Sequence, residues 1–243
     1  MQALVEIPHI RFHTTQHADA ILESAFPDEL QELADVLAAF RIEREELIRG
    51  GGGESSMTQR LRRALAEEGW EKRNVKEQYF IDDVEFEAES HEVDHLRTVD
   101  AGRIALEIEW NNKDPFFDRD LENFRKLHQI GYISVGVIIT RGASLQANLR
   151  NIFEAHYSQF ARVHDFDCTA PQRRSIVEKM DAGQALGEAA GAVLCASKFG
   201  TATTHWNKLI VRVSQRGLGK PCPLLLIGLE ENVIVDLRRI ELI

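Results

Sequence analysis

The spacing of hydrophobic residues predicts helices in the first part of the chain. Between residues 27 and 40, leucine, valine and phenylalanine recur every three or four positions with charged residues between them, which is typical of a helix with one buried face. The pattern predicts helical structure over residues 16–49 and a second helix over 57–68. Four glycines at 50–53 separate the two. They indicate either a flexible linker or a backbone that another group approaches closely.

From Tyr79 onward the hydrophobic period shortens to about two residues, which is typical of β-strands. We predict a strand with one break over 79–88, a second strand over 91–97 and a third over 103–110. A short hairpin joins the second strand to the third. Residues 133–139 are apolar on both faces and predict a buried strand.

Helical patterns surround that buried strand and two further strands close the chain. The predicted elements are helices over 117–128, 145–160, around 175–180 and over 203–215, then strands over 224–229 and 233–237. The sequence therefore predicts an α/β fold in which a mixed central β-sheet is flanked by helices. We expect a single domain over residues 1–243, with a helical arm over 1–49 and the core and recognition elements over 50–243.

The composition is that of a globular protein. The chain has 243 residues, of which 44% are hydrophobic and 28% charged, so it can bury a sizeable core and is not mainly disordered. No apolar run is long enough to span a membrane, and the N-terminus lacks the pattern of a secretion signal. We therefore expect a cytoplasmic protein with no membrane partner. Three widely separated cysteines argue against a disulfide framework or a thiolate zinc site.

The charge balance limits how this protein could bind nucleic acid. The 39 acidic and 29 basic residues give a net charge of −10, which argues against a protein that coats nucleic acid non-specifically. The same balance is compatible with an enzyme that combines a local basic groove with an acidic metal site.

Three carboxylates are expected to converge on the predicted hairpin. Glu107 and Glu109 are two positions apart on one strand, so both side chains lie on the face of Ala105. Like charges this close are unfavourable unless a cation compensates them. Asp94 is on the partner strand and can lie beside Glu107. Oxygen ligands without thiolates favour Mg²⁺ or Mn²⁺, and the alternative is a solvent-facing strand surface in an acidic protein.

A second candidate surface lies on the predicted helix 203–215. Lys208, Arg212 and Arg216 are four residues apart and form a basic stripe that could contact phosphates. Polar side chains at the start of this helix could bind phosphate oxygens or base edges: Thr203, Thr204, His205 and Asn207. The alternative is a solvated amphipathic helix.

The acidic stretch and its continuation resemble a known family. Asp94, the run Glu107 to Pro115 and the run Asp118-Arg119-Asp120 resemble the PD-(D/E)xK nuclease superfamily, and specifically look like type II restriction endonucleases of the BglII/BamHI kind. The resemblance spans about residues 50–230. The superfamily motif usually ends in lysine, whereas this chain has Glu109 there, as BamHI-like enzymes have a glutamate. This departure leaves the identity of the general base open.

The resemblance implies a restriction-endonuclease-like core and a Mg²⁺-dependent enzyme, with Mn²⁺ as the other candidate metal, that cuts both strands of duplex DNA and leaves 5′-phosphates. Asp94, Glu107 and the Ile108 carbonyl would hold the metal, and Glu109 would orient or deprotonate water. Glu77 is a candidate ligand for a second metal. The implied DNA contacts are Asn111, Lys113, Arg119, the polar group at 203–207, Lys208 and Arg212.

A restriction function also implies partners. We expect a homodimer, because a two-fold protein matches a palindromic site and supplies one active centre per strand, and a cognate DNA methyltransferase in the same system. Two alternatives remain open: a repair or junction-resolving nuclease of the same core, and a DNA-binding protein on a nuclease scaffold that does not cut.

Overall fold

The structure, a computed structural model, describes residues 1–49 and 55–236. Within these residues the strands are β1 (Ile10–Thr15), β2 (Ile42–Glu43), β3 (Glu71–Ile81), β4 (Val84–Val99), β5 (Gly102–Glu109), β6 (Val135–Arg141), β7 (Leu224–Leu229) and β8 (Ile234–Val235). The four glycines at 50–53 and the end of the last predicted strand, at residue 237, lie outside the described residues.

Ten α-helices accompany these strands in the described part of the chain. They are α1 (Gln2–Val5), α2 (Ala18–Ala25), α3 (Pro27–Ala39), α4 (Arg44–Ile48), α5 (Ser56–Glu67), α6 (Pro115–Gln129), α7 (Ala143–Tyr157), α8 (Ala170–Asp181), α9 (Leu186–Lys198) and α10 (Trp206–Ile210). Helix α10 continues directly into one π-helical turn, Val211–Gln215. No helix of the described residues is long and apolar enough to cross a membrane.

The central sheet is mixed and has six strands in the order β1-β7-β6-β5-β4-β3. Strand β5 pairs antiparallel with β4 and parallel with β6, and β6 pairs parallel with β7. The two outer strands, β1 and β3, pair antiparallel with their neighbours. The predicted α/β class, a mixed sheet flanked by helices, is therefore confirmed.

Two hydrophobic cores cover the two faces of the sheet. Ile104, Leu106 and Ile108 of β5 pack into the larger core, which the N-terminal helices, α7 and α9 complete. Ala105 faces the smaller core, which α6 and α10 cover. The alternation along β5 thus sends odd-numbered residues towards α6, and Glu107 and Glu109 are two of them.

Some elements differ from the prediction in extent. Residues 16–49 are largely helical as expected, but β1 precedes them and pairs with β7, so the N-terminal segment is built into the sheet. Strand β3 begins at Glu71, eight residues before the predicted strand. Its first residues are mostly charged or polar and only Val75 is buried, so they lack the alternation that marks a half-buried strand.

Candidate active site

The β4–β5 hairpin brings Asp94 and Glu107 together. Its antiparallel register runs from Val99 opposite Gly102 to His95 opposite Leu106, and Asp94 and Glu107 are the next residue on each strand. The Asp94 backbone N–H lies 3.4 Å from Glu107 Oε1. The predicted proximity of these two carboxylates is therefore present in the structure.

Glu107 and Glu109 are buried rather than solvent-facing. Their exposed fractions are 3% and 2%, because both point from β5 towards the layer formed by α6. This excludes the alternative in which the Glu-x-Glu pattern is an exposed strand surface. Buried carboxylates need hydrogen bonds, a proton or a cation, so the surroundings of this pair decide what it can do.

A fourth carboxylate, Asp120, joins the group from helix α6. It is 1% exposed, and its Oδ1 accepts from Arg119 Nε at 2.9 Å and lies 2.8 Å from Arg119 Nη2. Its Oδ2 is buried and has no hydrogen-bond partner among the described residues. Sequence reasoning missed Asp120, although it falls three residues after Phe117 and four before Phe124 on the buried face of α6. A charged residue on an apolar helix face was the available signal.

The electrostatics of the group are those of crowded, desolvated carboxylates. Burial, followed by repulsion from Asp120 and Asp94, raises the pKa of Glu107 well above its usual value. Burial and the charge of Asp120 raise the pKa of Glu109 to about 9. Burial also raises the pKa of Asp120, against the lowering effects of its contacts with Glu109 and Arg119. The cluster therefore favours bound protons or a bound cation over free charge.

Three neutral or basic side chains hold Glu109 in place. Asn112 Nδ2 donates to Glu109 Oε2 at 2.9 Å, and Arg119 Nη2 lies 3.9 Å from Glu109 Oε1. Thr140 Oγ1 donates to the Glu109 backbone carbonyl at 2.6 Å. Asn112 was not singled out as a site residue, because its contact depends on how the chain turns after β5.

The donor set fits a hard divalent cation. The oxygens come from carboxylates without any thiolate, and Asp120 offers a buried, unpartnered Oδ2. In the described ranges no three His, Cys, Asp or Glu side chains are already arranged around a metal position. Asp120 and Glu109 instead contact each other, so a cation would have to draw these oxygens onto itself.

The structure does not bring Glu77 to this group. Strand β3 pairs Arg73 with Val93, next to Asp94, and Lys76 with Ser90. Glu77 is thus four residues further along β3 than Arg73, roughly 13 Å at the rise of a strand. The prediction of Glu77 as a second-metal ligand is not supported by this register.

Two members of the basic stripe, Lys208 on α10 and Arg212 in the π-helical turn that follows it, face carboxylates of the protein itself, whereas Arg216 is exposed. Lys208 Nζ donates to Asp114 Oδ2 at 2.8 Å, and Arg212 Nε donates to Asp118 Oδ1 at 2.9 Å. Arg212 is only 8% exposed. Both cations are paired with carboxylates at the start of α6, and the DNA contacts at Lys208 and Arg212 stay predictions.

Three of the polar DNA-contact candidates are also internal. Asn111 Nδ2 donates to the Lys198 carbonyl at 2.9 Å, and Thr203 Oγ1 donates to the Gly200 carbonyl at 2.8 Å. Thr204 is fully buried. Asn111 and Thr203 are half-buried, and their hydrogen bonds help to shape the segment after β5 and the segment before α10.

The remaining candidates stay accessible near the carboxylates. Lys113, Arg119 and Asn207 are exposed, and His205 is half-buried. Burial and the charge of Arg141 lower the pKa of His205 to about 4, so its ring is neutral at neutral pH. An exposed guanidinium at Arg119, beside buried carboxylates, is suited to a phosphate oxygen.

A comparison with known protein families gives a match over most of the chain. The family model described as Restriction endonuclease BglII/BglIII matches residues 10–229, which include every residue of the carboxylate group. No individual curated protein matches the chain.

Proposed function

The chain belongs to the restriction endonuclease BglII/BglIII family, which makes it a nuclease, and from this premise we propose that it is a type II restriction endonuclease. It cuts both strands of duplex DNA at a fixed sequence and leaves 5′-phosphates. The observation that carries the proposal is the group formed by the half-buried Asp94 and the buried Glu107, Glu109 and Asp120, with an exposed Arg119 at its edge.

Asp94, Glu107 and the Ile108 carbonyl would hold Mg²⁺ or Mn²⁺, with Asp120 as an additional carboxylate. The bound cation supplies charge that offsets these carboxylates and polarises the scissile phosphate. Arg119, fixed by Asp120, binds a phosphate oxygen beside Glu109.

Glu109 is the residue that receives a proton from the attacking water. Asn112 holds its Oε2, which leaves Oε1 directed towards Arg119 and Asp120. In the cation-free protein its raised pKa keeps it protonated at neutral pH, and a protonated carboxyl group cannot act as a base. Positive charge next to Glu109 lowers that pKa, so base catalysis is available only once the site is loaded.

Contacts to DNA are assigned to the candidates that remain accessible. Lys113 and Arg119 extend from the end of β5 and from α6, and Asn207 and His205 from the start of α10. The protein acts as a homodimer with one active centre per strand. A methyltransferase of the same specificity protects the host DNA.

The test is incubation of unmodified plasmid DNA with the protein and Mg²⁺, followed by sequencing of the ends. We expect cuts at one sequence. Asp94→Ala or Glu107→Ala should abolish cutting, while folding and DNA binding in Ca²⁺ survive because repulsion is relieved. Asp100→Ala, in the exposed turn of the same hairpin, is the matched control. Full cutting by the Asp94 or Glu107 variant would contradict the assigned site.

The same experiment separates the alternatives. A repair or junction-resolving nuclease would cut according to DNA structure, so its ends would share no sequence. A DNA-binding protein that does not cut would leave the plasmid intact in Mg²⁺ and Mn²⁺ while still retarding it on a gel.

A further inference from the structure

Arg141, the last residue of β6, is a fully buried arginine. Its guanidinium donates five hydrogen bonds, and all of them go to uncharged acceptors. The acceptors are the Trp110 carbonyl, Asn111 Oδ1 (3.3 Å), Gln146 Oε1 (3.1 and 2.9 Å) and Thr203 Oγ1 (2.9 Å). No ion pair in the described part of the chain includes Arg141.

This environment is unfavourable for a positive charge. Burial lowers the pKa of Arg141 to about 9, and no carboxylate offsets the desolvation. What an apolar residue cannot supply is a planar fork of five donors, which can hold several acceptors in one fixed geometry.

Apart from Gln146, the acceptors lie in two chain segments that meet beside the active site. Segment 110–114 directly follows Glu109, and segment 202–204 leads into α10. Two backbone hydrogen bonds join the two segments, from Thr204 N–H to the Asn112 carbonyl (2.9 Å) and from Asp114 N–H to the Ala202 carbonyl (2.7 Å), and together they form an antiparallel bridge between Lys113 and Thr203. Arg141 donates hydrogen bonds to both segments. Gln146, in the first turn of α7, accepts two hydrogen bonds from the same guanidinium.

We infer that Arg141 is a positioning residue for Glu109. By fixing the Trp110 carbonyl and the Asn111 side chain, it sets the turn that carries Asn112 Nδ2 to Glu109 Oε2. Through Thr203 it keeps this turn in register with the segment that leads to Asn207. The consequence for cleavage rests on the proposed function, whereas the consequence for Asn112 does not.

The first test compares Arg141→Met with Gln146→Leu, which removes only the α7 acceptor. Single-turnover cleavage is measured in Mg²⁺ at saturating DNA, DNA affinity in Ca²⁺, and the thermal midpoint of each variant. We expect Arg141→Met to cleave on the order of 100-fold more slowly with little change in affinity, since misplaced catalytic groups typically cost this much. Gln146→Leu should lose thermal stability but cleave within about threefold of the native rate. The cleavage rate of Arg141→Lys should lie between that of Arg141→Met and the native rate, because one ammonium group reaches only some of the acceptors.

The second test needs no DNA cleavage. With ¹⁵N-asparagine labelling, the Asn112 side-chain amide is assigned by its loss in Asn112→Ala. We expect its signal to move towards the position of a solvent-exposed amide in Arg141→Met and to stay in place in Gln146→Leu. Where Arg141→Met does not fold, Arg141→Lys is used for both tests.

The outcomes separate this inference from the proposed function. An unmoved Asn112 signal in Arg141→Met, or a loss of cleavage in Gln146→Leu equal to that in Arg141→Met, would assign Arg141 to general stability and overturn the inference. A native protein that cuts no DNA would overturn the proposed function, while the Asn112 signal would still decide the role of Arg141.

Discussion

Glu109 occupies a position where most PD-(D/E)xK nucleases have an ammonium group. A lysine there would add positive charge beside the scissile phosphate, whereas Glu109 adds a fourth carboxylate to a buried group whose nearby cation is Arg119, at 3.9 Å. In the proposed function, charge compensation would therefore come from metal to a greater degree than in a Glu-x-Lys relative.

Glu109→Gln tests the role of this carboxylate directly. The amide keeps the shape but cannot accept a proton, so we expect the rate to fall by on the order of 100-fold or more. Single-turnover cleavage across a Mg²⁺ titration measures the rate, and DNA binding in Ca²⁺ should persist. Glu122→Gln on α6, where the carboxylate pairs with Arg125, is the control. A native rate with native metal dependence would make Glu109 a bystander, and Lys113 would be the next residue to examine.

Asp120→Asn tests the additional carboxylate. Loss of one ligand charge should weaken cation binding by on the order of tenfold or more, and the amide should leave Arg119 less firmly held. Calorimetric titration of the DNA-free protein with Mn²⁺ measures the affinity without reference to activity. Asp118→Asn is the matched control, since Asp118 is on the same helix but pairs with Arg212. Equal affinity in the two variants would exclude Asp120 from the cation site.

The raised pKa of Glu109 predicts how stability depends on pH. Its folded value is about 9, against about 4.3 in an unfolded chain. The stability gained from the bound proton is therefore complete below about pH 4.3 and is lost as the pH rises towards 9. The pKa of His205, lowered to about 4, has the opposite effect, but only below about pH 6.5.

Above neutral pH, the dependence of stability on pH should therefore come mainly from the carboxylates. We expect the free energy of unfolding of the metal-free protein, measured by urea denaturation in EDTA, to fall between pH 7 and pH 9. The fall should be smaller in Glu109→Gln and smaller in the presence of Ca²⁺. A flat profile for the native protein would show that Glu109 does not hold a proton in the folded state.

At the scale of single residues, the sequence predicted the position of a side chain where one strand or one hairpin determines that position. Alternation along β5 placed Glu107 and Glu109 on one face, and the hairpin placed Asp94 beside them. Asp120 and Asn112 could not be placed in the same way. Their contacts depend on how α6 and the turn after β5 pack on the sheet, which no local period specifies.

At the scale of elements, the basic stripe that was expected to contact DNA instead forms ion pairs with carboxylates at the start of α6. Lys208 on α10 and Arg212 in the turn that follows are four residues apart, and so are Asp114, directly before α6, and Asp118 on α6, so the two segments are complementary in charge and spacing. A single-helix pattern shows the stripe but not the carboxylates opposite it. The sequence therefore suggested DNA contact where the structure has an interhelical ion-pair set.

Arg212→Ala should accordingly destabilise the protein more than it weakens DNA binding. It leaves Asp114 and Asp118 with reduced compensation, and we expect a loss of about 1 to 3 kcal/mol in the free energy of unfolding. Lys113→Ala, at an exposed DNA-contact candidate, should show the reverse pattern, with lower affinity for DNA and little loss of stability. Urea denaturation and a salt titration of DNA binding measure the two quantities. A large affinity loss in Arg212→Ala alone would restore the original interpretation.

For the molecule as a whole, the proposed cleavage of both DNA strands leads us to expect two active centres in a homodimer. We expect sedimentation to give twice the mass of the 243-residue chain and a supercoiled plasmid to become linear without accumulation of the nicked form. Mixing native protein with excess Glu107→Ala should make nicked circles accumulate, because mixed dimers carry one working centre. Linear product alone under these conditions would argue against a dimer.

The pairing of β1 with β7 sets the order in which the molecule can fold. It joins Ile10 to Leu229 and Thr15 to Leu224, so the sheet closes across almost the whole length of the chain. Contacts this distant in sequence form late. Strand β7 also supplies Leu224 and Leu226 to the core that α6 and α10 cover. During synthesis, the core that α6 and α10 cover therefore stays incomplete until β7 has left the ribosome. We expect that a chain whose synthesis stops before β7 does not cut DNA.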